Sequence, residues 1–141
     1  MKKSPVQLRG LVIIDQMQPQ FAATIAANSD GYFPIPGETA CWVEVCPGIA
    51  VNRLLDAALK GCDVKPGAMI LERSYGTLEV HGPDQGQVRE AGEYVLKAAG
   101  QTRDDGLSPA VLSSEVVNQI DPHHAMMINK SRSGMLVLGG D

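Results

Sequence analysis

Aromatic residues are scarce: one Trp, three Tyr and two Phe amount to 4% of 141 residues. A chain so short of large rings buries only a small core by itself, and oligomerisation fits that shortage. Long apolar runs are missing too. Nothing approaches the ~20 residues of a spanning helix, which excludes a membrane span. No apolar signal core follows Met1-Lys2-Lys3, so the cytoplasm is the expected compartment. Twelve Lys and Arg against sixteen Asp and Glu leave a net charge of −4. With the basic residues scattered, nucleic acid finds no electrostatic footprint. Cysteine is limited to Cys41, Cys46 and Cys62, an odd number that argues against a disulfide framework and predicts reduced thiols. No GxGxxG follows a strand, and neither a GxxxxGK phosphate loop nor a GxSxG elbow occurs, so those chemistries have no motif to rest on. No internal repeat is long enough for a solenoid.

What remains is one globular domain's worth of chain, 44% hydrophobic and 20% charged. Its pattern is α+β. Residues 11–14 read as a strand; residues 20–27 fit strand or helix, with length favouring a strand ended by Asn28-Ser29-Asp30-Gly31. Residues 33–38, with Pro34, Pro36 and Gly37, form a loop. The run 41–45 is β-rich, and Pro47-Gly48 turn it into a helix over 49–60 with Gly61 as the stop. Strands at 68–72 and 77–81 flank Arg73-Ser74-Tyr75-Gly76. A second amphipathic helix, 85–99, carries Val88, Ala91, Tyr94, Val95 and Ala98 on one stripe and closes at Gly100. Residues 101–106 read as a polar linker, and 109–120 as a helix capped by Ser108. His123 and His124 follow, then the basic Lys130-Ser131-Arg132 and a last apolar run over 135–138.

Reactive residues are few. Adjacent His123 and His124 point apart on any regular backbone and His81 lies on a distant strand, so a surface role outweighs metal binding. Cys46 before Pro47 at a helix start suits thiolate chemistry or ligation, against the simpler reading of a small residue ending a strand. A single cysteine holds no cluster unless symmetry copies gather around an axis. Glu44, Glu79, Asp104 and Asp105 have no accompanying motif and read as solvated or ion-paired.

The stretch 41–99 resembles a bacterial microcompartment shell domain. Asp56-Ala57-Ala58-Leu59-Lys60 matches that family's helix pattern, and residues 72–82 match its strand–pore–strand region. Residues 20–28 resemble the strand that circularly permuted members of propanediol and ethanolamine compartments place before the domain. Leu11, Val12, Ile13, Ile14 and Asp15 match the position of an added strand, six copies of which close a barrel over the pore. The resemblance spans about residues 8–100 and implies an N-terminal barrel strand (1–19), a permuted domain (20–100) and a C-terminal extension (101–141).

The function implied is structural and without catalysis. The family forms cyclic homo-hexamers that tile with other shell proteins around enclosed enzymes, in a compartment within the cytoplasm. Arg73, Ser74, Tyr75 and Gly76 would line the pore, and the bulk of Tyr75 implies a constricted or capped one. Lys60 and Asn28 would lie at the hexamer edge. No cofactor is implied by the common form; Cys46 as ligand of an iron–sulfur cluster is the alternative, after a permuted member with a Cys-Pro ligand pair. A metabolite-binding regulatory oligomer using Gly82-Pro83-Asp84 is a second alternative.

Overall fold

The computed structural model describes residues 6–108 and 110–130. Its elements in chain order are β1 (Gln7–Ile14), α1 (Pro19–Ala27), β2 (Thr39–Cys46), α2 (Ala50–Gly61), β3 (Lys65–Glu72), β4 (Tyr75–Gly82), α3 (Gln85–Ala99), a short 3-10 turn (Arg103–Asp105) and α4 (Pro122–Lys130). The four strands form one antiparallel sheet in the order β1-β2-β4-β3. The described residues fall into two compact units that divide after Ser108.

Alternation along β2 separates the two faces of the sheet. Cys41, Val43 and Val45 are buried with Leu78 and Val80 of β4 against Val51, Leu54 and Ala58 of α2 and Val88, Ala91 and Val95 of α3. Those spacings of three and four place each helix's apolar residues on a single stripe, and each fully buried aliphatic side chain contributes about 1.5–3 kcal/mol. Caps set the ends of α3: Asp84 Oδ1 accepts from the Gly86 and Gln87 N–H groups, and Gly100 closes the helix in the left-handed conformation. On the opposite face Met17, Ala22, Ile25 and Ala40 form a smaller cluster, with Ile14, Phe21 and Trp42 packed against it.

Residues 20–27 are helix α1, where a strand was expected. Pro19 occupies the first helical position, four alanines favour helix, and Ala22 and Ile25 bury together three residues apart. The strand that completes the sheet is therefore β1. Leu11, Val12, Ile13 and Ile14, expected as a barrel strand over the pore, pair instead with Val43, Trp42, Cys41 and Ala40. Asp15 lies just beyond them and bonds Arg89 of α3 at 2.9 Å. A bulge between Leu8 and Gly10 shifts the alternation by one residue, so Leu8 on one side of it and Leu11 and Ile13 on the other all reach the helix-covered core.

Residues 101–106 are tied down, not a loose linker. Gln101 Oε1 accepts from the Leu8 N–H, Arg103 bonds Glu93, and Thr102 with Asp105 forms a capping box on the 3-10 turn. The helix expected over 109–120 is absent from residues 110–120. It begins at Pro122 instead, where Asp121 Oδ1 accepts from the N–H groups of His123 and His124, while Val111, Val116 and Val117 disfavour a helix before it. The apolar run 135–138 lies outside the described residues.

The start of the second unit repeats the start of the first. Ile13-Ile14-Asp15-Gln16-Met17-Gln18-Pro19 corresponds to Val116-Val117-Asn118-Gln119-Ile120-Asp121-Pro122, each residue 103 positions further on, and Ala22 and Ile25 correspond to Ala125 and Ile128. Gln16 and Gln119 share a left-handed backbone, with φ of 48° and 50°. Each lies three residues before the proline that opens a nine-residue helix.

Candidate functional site

The turn between β3 and β4 consists of Arg73 and Ser74, with Glu72 and Tyr75 paired across its base. Arg73 sits at φ 35°, the positive region that two-residue hairpins favour. The tip rests on the chain leading into α2. The Gly48 N–H donates to the Ser74 carbonyl at 2.9 Å, and the two strands of chain approach so closely that no Cβ fits. One on Gly48 would collide with the Tyr75 carbonyl oxygen, and one on Gly76 with that of Gly48. Glycine at both positions lets backbone meet backbone and fixes the tip.

Glu72, Arg73, Ser74 and Tyr75 line an open pocket of about 440 Å³. Of the four residues expected at the pore, Arg73, Ser74 and Tyr75 line this pocket, while Gly76 is buried behind them against Gly48 and Val51. Arg9, absent from the expectations above, completes the cluster. Its guanidinium lies 3.9 Å from the centre of the Tyr75 ring, and its Nε–H donates to Glu44 Oε2 at 3.1 Å. That hydrogen bond holds the Arg9 guanidinium pKa above its ordinary value. No spacing in the sequence links Arg9 with Tyr75; only the strand order β1-β2-β4 brings them within reach.

Cys46 ends β2, half-buried, opposite Gln7 of β1. Among the described residues no three His, Cys, Asp or Glu side chains gather closely enough to hold a metal. Burial pushes the Cys41 thiol up to about 12 and raises that of Cys62 as well. His81 is bonded within the protein: its Nδ1–H donates to Glu79 Oε1 at 2.8 Å and to Oε2 at 3.1 Å, and the Ala68 N–H donates to Oε2 at 3.3 Å. Both side chains of this pair are fully buried. They lie two residues apart on one strand face, so alternation in the sequence could have paired them.

Lys60 stands exposed in the last turn of α2, its ammonium 2.8 Å from Asp56 one turn back. Asn28 terminates α1, its Nδ2–H donating to the Thr24 carbonyl. Asp84, in the proposed metabolite-binding segment, is engaged as the α3 cap. Among the described residues no helix is long and apolar enough to cross a membrane.

Residues 8–105 match the family model described as the CsoS1D N-terminal domain. The carboxysome shell protein CcmP of Synechococcus elongatus is 44% identical over 136 residues, which cover 96% of this chain and 64% of that protein. The carboxysome shell protein CsoS1D of Prochlorococcus marinus subsp. pastoris is 41% identical over 136 residues, 96% of this chain and 53% of its own length. Among solved structures, the fused permuted hexameric shell protein of the RMM microcompartment superposes with a TM-score of 0.76 at 35% identity, covering 87% of this chain and 60% of that one. The double-ringed trimeric shell protein of the same compartment gives 0.73 at 36% identity, covering 89% and 60%. The chain spans about half to two thirds of the length of the relatives it matches.

Proposed function

The chain belongs to the CsoS1D N-terminal domain family of permuted microcompartment shell proteins, and from that membership we propose that it is a structural tile of a carboxysome-type shell. It acts without catalysis, in the cytoplasm, beside other shell proteins that enclose the enzymes. Domains of this fold close into a ring by rotation, each presenting the same two edges to its neighbours. The β3–β4 hairpins border the central opening, with Arg73, Ser74 and Tyr75 toward it and the Tyr75 ring narrowing it. The observation that carries this reading is the Gly48–Gly76 contact. A tip anchored through backbone on both sides holds its exposed residues at a constant position, as an opening of defined width requires.

Light scattering of the purified chain on a size-exclusion column tests the ring. Six copies of the 15.0 kDa chain, about 90 kDa, is the expected mass; a stable monomer overturns the proposal. Lys60 and Asn28 are read as edge contacts. Lys60→Ala is expected to leave the ring mass unchanged and abolish extended sheets in electron micrographs. Sheets that persist in Lys60→Ala remove it from the edge.

A further inference from the structure

Arg9 is the bulged residue of β1, the one left unpaired between Leu8 and Gly10. A bulge of this kind re-aims a side chain, and here the side chain crosses the open face of β2 to Glu44 and ends over Tyr75 of β4. The bulge is held from outside as well, by the Leu107 N–H donating to the Arg9 carbonyl at 3.0 Å. The backbone of the hairpin tip needs nothing from Arg9, because Gly48 and Gly76 already fix it. What Arg9 restrains is the ring. A tyrosine at an exposed tip has several staggered wells open to it, and a cation stacked on its face while bonded to a carboxylate selects one of them.

We propose that Arg9 is a positioning residue for Tyr75, so that the first strand of the domain sets the width of the opening that the hairpins border. This rests on the reading that the hairpin borders that opening. Only arginine suits the place, since its planar fork can hydrogen-bond Glu44 through Nε and stack on the ring at the same time. A lysine keeps the charge and loses that geometry.

The test uses the full chain labelled with 3-fluorotyrosine, the Tyr75 resonance being assigned by its loss in Tyr75→Phe. Arg9→Lys and Arg9→Ala are each expected to shift that resonance and leave those of Tyr32 and Tyr94 in place. An unmoved Tyr75 resonance overturns the proposal regardless of how the protein assembles. Assemblies of the same variants in planar lipid bilayers then report on the opening. Arg9→Ala is expected to change single-channel conductance by about twofold or more, the population change that a weak cation–π contact supports. In the Tyr75→Ala background it is expected to change nothing; an equal change in both backgrounds overturns the proposal. Wild-type assemblies that pass no current overturn the pore reading itself, and the fluorine shift still decides whether Arg9 holds the ring.

Discussion

The sheet face turned away from α2 and α3 carries two hydrogen-bonded side-chain pairs in opposite surroundings. At one end Glu79 and His81 are 0% exposed, sealed beneath a loop whose Gly31 and Tyr32 N–H groups donate to the Gly67 and Pro66 carbonyls of β3. At the other end Arg9 and Glu44 remain 32% and 45% exposed beside the hairpin tip. Each pair joins a glutamate carboxyl group to a nitrogen donor; the surroundings give them different work. A buried carboxylate without its partners has no water to turn to, so the Glu79 pair holds the fold. An exposed pair is screened and contributes little to stability, so the Arg9 pair is free to set the position of a side chain.

Breaking the buried pair gives the largest effect. Glu79→Ala strips the acceptor from His81 and from the Ala68 N–H, and since each buried donor left unsatisfied costs about 1–3 kcal/mol, a loss of about 2–5 kcal/mol is expected in urea denaturation. An unchanged midpoint would show that the two ends are equivalent after all. Gly67→Ala comes next, because its new Cβ would fall within the reach of Glu79 and lie 3.0 Å from His81 Cε1. Overpacking of this kind costs about 1–3 kcal/mol, and a double-mutant cycle should find most of that cost gone in the Glu79→Ala background, where the space is freed.

The helix-covered face supplies a further contrast through Cys41. Burial raises this thiol from 9.0 to about 12, so the folded state keeps its proton where the unfolded chain has lost it. The stability this provides is complete below pH 9 and is lost as pH rises toward 12, at about 1.4 kcal/mol per pH unit. Cys41→Ala should flatten the decline in melting temperature over that window relative to wild type; parallel curves would refute it. The smallest effect belongs to the exposed pair. Glu44→Gln is expected to leave the thermal midpoint within experimental error while moving the Tyr75 fluorine resonance, separating position from stability in one variant.

Legibility in the sequence followed how local each cause is. Helix α3 was readable to its last residue, since its stripe and the closing Gly100 lie within the segment itself. The hairpin strands were readable as well, one to three residues short at their ends. Helix α1 was misread because a short run rich in alanine shows no polar face, and periodicity cannot separate strand from helix there. β1 was cut short because the bulge at Arg9 breaks its alternation. The correspondence of residues 116–128 with 13–25 is faint in the sequence because few identities carry it, and the shared left-handed glutamine shows only in the backbone.

Composition, helix stripes and caps, and the Arg73-Ser74 turn follow from interactions among near neighbours, and for these the order of residues sufficed. Which of two candidate strands closes the sheet depended on something else. A strand's backbone groups are satisfied by any edge that offers a matching ladder, and the match of Leu11–Ile14 to β2 exists only once the sheet is assembled. The same assembly sends Arg9 to Tyr75 and Glu79 into the dark with His81. Charge and ring types are written in the chain, but the distance between them and the water around them are set by packing, and those two quantities decide what each pair does.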